Sequence, residues 1–257
     1  MVDSKNQRLA VVIPVYNEQD CIDSVIRTWH SQILDTIDSK NVKVSIFAVN
    51  DGSKDSSGEI LDKLSKCLPE LIVVHQSNAG HGGAVLNGYK HAIEDKADWV
   101  FQVDSDDQFE ASDFGRFWRS RFEYDFVLGY RANRSDPTAR LIITRILRLV
   151  VSVLFLVNIK DANNPFRLMK VSTLKPLLAM IPESTFAPNI FISVLFFFGK
   201  SKTAELPVLH KIRKTGEISI LRFTLLKVCA LSALQLARLS LRLLGVRSKG
   251  MIIRVAN

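Results

Sequence analysis

Two aspartates one residue apart, Asp104 and Asp106 in QVDSDDQ, follow the apolar run WVFQV at 99–103. Carboxylates at i and i+2 just past a strand can offer oxygens to one hard cation of the Mg2+ or Mn2+ kind. Such an ion characteristically bridges to substrate phosphates instead of being caged by protein. Two more acidic turns end apolar runs, Glu18 in PVYNE and Asp51 in NDGS. Brought to one edge, four carboxylates repel one another unless a cation or hydrogen-bond donors meet them. Taken alone, DSDD also reads as a solvated turn; beside the other acidic turns, the metal reading gains. A further segment, NAGHGGAVLNG at 78–88, sets Gly80, His81, Gly82 and Gly83 before a helix whose N-terminal amides could receive anionic oxygens. The same glycines would serve equally for a tight turn into that helix. His81, inside this turn, and His210, just upstream of Arg213, are candidates for ligand contact. His30 and His91 read as surface helix residues and His75 as a packed strand residue.

Other chemistries fail on spacing. A dinucleotide fingerprint would need a third glycine where Val85 stands, and a Walker A loop would need a lysine where Tyr89 stands. HExxH, GxSxG and Cys/His clusters with metal-ligand spacing are missing from the sequence. Cys21, Cys67 and Cys229 are odd in number and widely spaced, which argues against a disulfide framework and fits a reducing cytosol.

The elements that must position these residues are legible as short apolar runs: 9–13, 43–50, 71–76, 99–103 and 125–129. Each has strand length, and helical spacing fills the intervals at roughly 18–34, 56–67, 82–95 and 112–121. Ser56 and Glu59 read as a capping box for the second helix. Alternation of this kind predicts an α/β fold, a mainly parallel sheet flanked by helices, with ligands bound beyond the carboxyl ends of the strands. After residue 130 the rhythm changes to an apolar helix near 138–158, the segment DANNPFRLMK, two further helical stretches and a strand at TAELPV. The expected organisation is a catalytic domain over 1–215 and a C-terminal helical extension over 216–257.

With 257 residues, 47% hydrophobic and 23% charged, the composition excludes disorder, collagen and small disulfide scaffolds. The net charge of +8 conceals an asymmetry: residues 1–110 carry 10 Lys and Arg against 18 Asp and Glu, whereas residues 160–257 carry 16 against 4. A basic, apolar second half suits an anionic and greasy partner, and an anionic membrane surface outranks nucleic acid, for which no binding signature is present. The apolar stretches fall short of the ~20 residues that cross a bilayer, and no signal peptide is apparent. Attachment, if any, is expected at the membrane surface. In LRFTLLKVCALSALQLARLSLRLLGVR, Lys227, Arg238 and Arg242 share one helical face.

In order and spacing, VVIPVYNE at 11–18, VNDGSKDSS at 49–57, NAGHGGAVLNG at 78–88 and QVDSDDQFE at 102–110 resemble glycosyltransferase family 2 of the GT-A fold. The resemblance continues through GYR, DANNPFRLMK and RKTGEIS into the branch of dolichyl-phosphate mannose synthases and bacterial polyprenyl-phosphate glycosyltransferases. It implies a nucleotide-sugar donor, UDP- or GDP-linked, with Pro14, Tyr16, Glu18 and Asp51 on base and ribose. Asp104, Asp106 and Gln108 would hold the metal and diphosphate. Around an acceptor phosphate it implies Arg131, Arg140 and Thr144; with Arg148, the last two continue an i, i+4, i+8 row on one helical face. Arg213 and Gly216 match a late basic motif, RxxGxSK, in which Ser219 is displaced by one and Ile220 stands at the lysine position. Many relatives append membrane-spanning helices, whereas this sequence ends on its amphipathic stretch.

The expected reaction is an inverting, metal-assisted transfer of a hexose to a polyprenyl phosphate at the cytoplasmic membrane face. A phosphate acceptor is largely anionic at neutral pH and needs no protein base; a hydroxyl acceptor would need one, and Asp161 is the candidate. Two other functions remain open at this point: a soluble transferase acting on a glycan or protein hydroxyl, and a silent nucleotide-sugar or membrane-surface binding module. A homo-oligomer is compatible with either.

Overall fold

The computed structural model describes residues 7–38, 40–132, 138–182, 185, 187–199, 201–211 and 231–243. For 138–143 it describes the backbone alone. Seven strands form one sheet: β1 (Gln7–Val15), β2 (Val42–Asn50), β3 (Leu71–His75), β4 (Trp99–Gln102), β5 (Phe126–Arg131), β6 (Arg167–Lys170) and β7 (Thr203–Val208). Their order across the sheet is β3-β2-β1-β4-β6-β5-β7. All neighbours run parallel except β6, which is antiparallel to both β4 and β5. The expected strands are therefore present, and β6, formed by the RLMK of DANNPFRLMK, is added in the middle of the sheet.

The five parallel runs are apolar because helices cover the sheet on both faces. On one face α1 (Ile22–Thr36), α2 (Ser57–Ser65) and α4 (Phe114–Ser120) accompany Leu9, Val11 and Ile13 of β1. On the other, α3 (Gly80–Glu94), α5 (Thr138–Phe155), α6 (Val171–Leu178) and α7 (Pro188–Phe198) accompany Ala10 and Val12. Alternate residues of one strand thus feed two separate cores. On the first face Trp29, Phe101, Phe114, Phe117 and Phe166 form a ring cluster, with Phe101 and Phe166 edge to face at 4.9 Å. Such pairs contribute about 0.5–1.5 kcal/mol each beyond burial.

Two local expectations need correction. The β1 strand runs on through Pro14 to Val15, past the 9–13 run expected from the sequence. β4 pairs with β1 only as far as Val12, so by Pro14 that side of β1 has no ladder left to break. Ser56 makes no side-chain cap to α2. Instead Asp55, one residue before the N-cap, accepts at Oδ1 from the Ser57 amide at 3.0 Å, while its Oδ2 accepts from the Gln19 amide at 3.1 Å.

A helix over residues 231–243, here α8, lies beside α5: the Ser240 hydroxyl donates to the Leu154 carbonyl at 2.8 Å, and Leu236, Leu239 and Leu243 join the core that holds Val151 and Phe155. Among the described residues no helix is long and apolar enough to cross a membrane.

Candidate active site

The loops that leave β1, β2, β3 and β4 at their carboxyl ends meet along one edge, and side chains lock each loop to the next. After β1, Asn17 takes a left-handed φ of 54° and its Oδ1 accepts from the Lys54 amide at 2.8 Å. The Glu18 amide donates to the Ser57 hydroxyl at 2.8 Å. After β2, Asn50 Oδ1 accepts from the Ser53 amide at 3.1 Å, closing the NDGS turn. Its amide nitrogen donates to His75 Nδ1 at 3.0 Å, and His75 Nε2 lies 2.9 Å from Asp62 Oδ1. His75 is consequently a half-exposed tie between β2, β3 and α2, and not the packed strand residue expected of it.

The four carboxylates of the edge are met in different ways. Asp51, 2% exposed, accepts at Oδ1 from the Gln76 side chain and from the Ala79 amide, both at 2.7 Å. It thereby fixes the turn into α3. Glu18, 8% exposed, accepts from the Cys21 thiol at 3.5 Å, and the same thiol reaches the Ser105 carbonyl at 3.4 Å, joining the β1 and β4 loops. Asp106 Oδ1 accepts from the Gln108 amide at 3.3 Å. Asp104 differs: its Oδ1 is buried with no hydrogen-bond partner among the described residues, and His81 Nε2 lies 3.8 Å from it. Hydrogen-bond donors relieve Asp51 and Glu18, so the requirement for a cation narrows to the DSD turn. A buried acceptor without a donor costs about 1–3 kcal/mol, more if charged, unless something else fills its coordination.

A hard cation suits the oxygens of this turn chemically. Among the described residues no three His, Cys, Asp or Glu side chains converge as a closed cage. An ion on Asp104 and Asp106 would therefore take its remaining oxygens from substrate, as Mg2+ and Mn2+ commonly do. Gln108 is less available than expected. Its Nε2 donates to the Lys211 carbonyl at 3.0 Å, and the Lys211 amide returns to the Gln108 carbonyl at 2.8 Å, which leaves Oε1 as the atom that could face a ligand. The Phe109–His210 bridge belongs to the same tie, with the two rings edge to face at 5.2 Å.

The glycine turn makes the tight entry into α3 that the sequence allowed for. Gly80 opens α3 with φ of +77°, a conformation that L side chains rarely adopt. His81 stands exposed on the first turn and Gly82 is buried. Pro14 is buried within β1 and Tyr16 half-buried just beyond it. Farther along the helix, Gly88 allows α3 to lie against β1, since a Cβ there would come within 2.3 Å of Val12 Cγ1.

Around the expected acceptor side, Arg131 at the end of β5 is mostly buried, with its Nε 3.3 Å from Asp161 Oδ2. Thr144 is half-buried on α5, and Arg148, exposed, donates to Asn158 Oδ1 at 2.9 Å. Arg140 belongs to α5, but its side chain lies outside the described residues, as does the whole of Arg213. Sequence reasoning gave no role to Arg167 or Asn164, both 0% exposed. The signal was present in DANNPFR, where two asparagines and an acid precede an arginine that opens an apolar strand. Burial draws the Arg167 guanidinium down to about 10, still charged at neutral pH. Tyr89, fully buried on α3, donates to Gln102 Oε1, and burial holds its phenol well above the usual range.

The sequence model for Glycosyl transferase family 2 matches residues 10–175, from β1 into α6. Over 214 residues the chain is 29% identical to an undecaprenyl-phosphate 4-deoxy-4-formamido-L-arabinose transferase of Edwardsiella ictaluri; the match covers 82% of this chain and 62% of that protein. This chain thus spans about three fifths of that relative's length. Among solved structures, mannosyl-3-phosphoglycerate synthase from Rubrobacter xylanophilus superposes with a TM-score of 0.64 at 14% identity, over 96% of this chain and 77% of that one. Glucosyl-3-phosphoglycerate synthase from Mycobacterium tuberculosis, in complex with Mn2+, uridine-diphosphate and glucosyl-3-phosphoglycerate, gives 0.59 at 15% identity, over 88% and 80%. These likenesses give the sheet and its flanking helices as the GT-A fold. Over the span of β1 to α6, and with its acidic edge, this chain belongs to glycosyl transferase family 2.

Proposed function

We propose that the chain transfers a hexose, with inversion, from a UDP- or GDP-linked sugar to a polyprenyl phosphate at the cytoplasmic face of a membrane. The observation that carries this reading is Asp104 Oδ1, buried and without a donor beside the first turn of α3. Asp104 and Asp106, with Gln108 Oε1 in reserve, would hold Mg2+ or Mn2+; when bound, such an ion supplies Lewis-acid neutralisation of the departing diphosphate. Asp51, oriented by Gln76 and Ala79, would meet the base, with Pro14, Tyr16 and Glu18 lining the same side. Gly80, His81 and Gly82 would face the diphosphate at the α3 N-terminus, where amide hydrogens favour anions. Arg131, Arg140 and Thr144 would receive the acceptor phosphate, Arg213 would join the residues that hold the nucleotide sugar, and the likeness to an undecaprenyl-phosphate transferase of Edwardsiella ictaluri supports a polyprenyl acceptor.

Two helices support the membrane surface as a partner. Ile146, Leu149 and Val153 are 56%, 65% and 66% exposed at i, i+3, i+7 on α5, beside exposed Arg145 and Arg148. On α8, Leu231, Leu234 and Leu241 share the exposed face with Arg238 and Arg242. We assign the GT-A unit to 1–215 and the surface extension to 216–257 on the same grounds.

The test offers UDP- and GDP-sugars with Mn2+ and undecaprenyl phosphate in detergent, and measures radiolabel extracted into organic solvent. Metal-dependent label in the organic phase is expected. Label that stays in water as free sugar or as a glycan under every donor would refute the acceptor assignment.

A further inference from the structure

We propose that Arg167 is a positioning residue for Arg131, acting through Asn164 and Asp161; the proposal rests on the reading of Arg131 as a ligand of the acceptor phosphate.

A fully buried guanidinium normally sits against a carboxylate. The fork of Arg167 instead ends on backbone carbonyls: Nε donates to Asn164 O at 2.9 Å, Nη1 to Asn189 O at 2.9 Å, and Nη2 to Ala162 O at 3.2 Å and to Asn164 O. It therefore clamps the 161–166 turn onto α7. The Ser193 hydroxyl adds a second bond to Ala162 O at 2.8 Å. Asn164 passes the constraint outward. Its Oδ1 accepts from the Phe166 amide at 2.9 Å, its own amide donates to Asp161 O at 3.0 Å, and its Nδ2 donates to Asp161 Oδ2 at 3.2 Å. That same oxygen lies 3.3 Å from Arg131 Nε. A continuous chain thus runs from the middle of the sheet, where Arg167 is in register with Gln102 and Leu128, to the end of β5.

Charge runs along the same chain: Asp161 Oδ2 lies 3.3 Å from Arg131 Nε, and Asp161 and the site-edge Asp104 both act on Arg167. Asp161, the candidate base for a hydroxyl acceptor, is on this geometry a strut for Arg131. The arrangement is the kind that fixes a ligand-binding side chain through its supporting shell.

Arg167→Lys is the informative substitution, because it keeps the charge that Asp104 and Asp161 feel and removes the fork that holds three carbonyls. The full chain is titrated calorimetrically with farnesyl monophosphate as acceptor probe and, separately, with UDP plus Mn2+ as donor probe. The expected result is about tenfold weaker farnesyl monophosphate binding with donor-probe binding within about twofold of wild type. Asn164→Ala should repeat this split, and the double variant should bind the acceptor probe no more weakly than the worse single, since both cut the same chain. A folded Arg167→Lys that binds both probes as wild type does, or loses both equally, overturns the proposal. Where that variant fails to fold, Asn164→Ala decides by the same split. Wild type that binds UDP with Mn2+ but not farnesyl monophosphate refutes the acceptor reading itself, and the positioning role falls with it.

Discussion

One unsatisfied oxygen separates the four carboxylates of the edge into two kinds. Asp51 and Glu18 have donors, whereas Asp104 Oδ1 has none among the described residues. Asp104→Asn keeps the shape and halves the anionic offer to a cation. Mn2+ binding in the presence of UDP should fall at least tenfold and turnover ~100-fold or more, read by calorimetry and by initial rates. Unchanged Mn2+ affinity would place the cation elsewhere. The sequence exposed these acids through their positions after apolar runs, but it could not say which had donors, because Gln76 and Ala79 reach Asp51 from another loop and the fold of its own loop turns the Cys21 thiol to Glu18. Arg167 was hidden in part for the same reason: DANNPFR marks a polar turn before a strand, but the three carbonyls that hold the buried guanidinium are set by the fold. A second prediction concerns Asp55. Burial pushes its carboxyl upward, but the bonds from Ser57 and Gln19 outweigh it and hold it below the ordinary range. A carboxyl with a depressed folded pKa lends stability above its unfolded value of about 4, and loses it as pH falls through the folded one. Asp55→Asn should therefore melt below wild type at neutral pH, with the gap closing as pH drops from about 5 toward 3. A gap that stays constant across that scan would remove the charge from the account.

At the scale of elements, periodicity in the sequence was sufficient for β1 to β5 because parallel strands buried on both faces read as plain apolar runs. It was insufficient for β6. Four residues, RLMK, carry too short a pattern, and their strand character comes from lying between β4 and β5. The capping box at Ser56 failed in a related way, since Asp55 one residue earlier was already bonded to Ser57 and to Gln19. Gly88 illustrates what element packing asks of a residue whose role the sequence left undivided from the glycine turn. With Val12 Cγ1 only 2.3 Å from where a Cβ would stand, α3 can approach β1 only over hydrogen. Gly88→Ala should cost about 1–3 kcal/mol in denaturant unfolding through forced displacement of α3. It should also weaken UDP binding, because α3 carries Gly80 and His81 to the site. A variant as stable as wild type would mean that Val12 yields without moving the helix.

For the whole molecule, charge and exposed apolar surface divide along the chain. The first half supplies acids to the strand ends, and the second supplies arginines beside leucines on two adjoining helices. Such a face should bind anionic bilayers by two additive contributions that respond differently to salt. Apolar insertion by Ile146, Leu149 and Val153 on α5 and by Leu231, Leu234 and Leu241 on α8 is insensitive to ionic strength, whereas attraction between arginines and lipid headgroups is screened within ~10 Å at about 0.1 M salt. Flotation on phosphatidylglycerol vesicles separates them. Arg238→Ala with Arg242→Ala should weaken binding strongly at about 0.05 M salt and little at about 0.5 M, each arginine being worth about 1 kcal/mol near the surface. Leu149→Glu with Val153→Glu should weaken it at both. If all four substitutions leave flotation intact while the protein stays folded, the two helices face something other than lipid. If only the arginine pair matters, the chain is held by charge alone and the exposed stripe of α5 is idle at the surface.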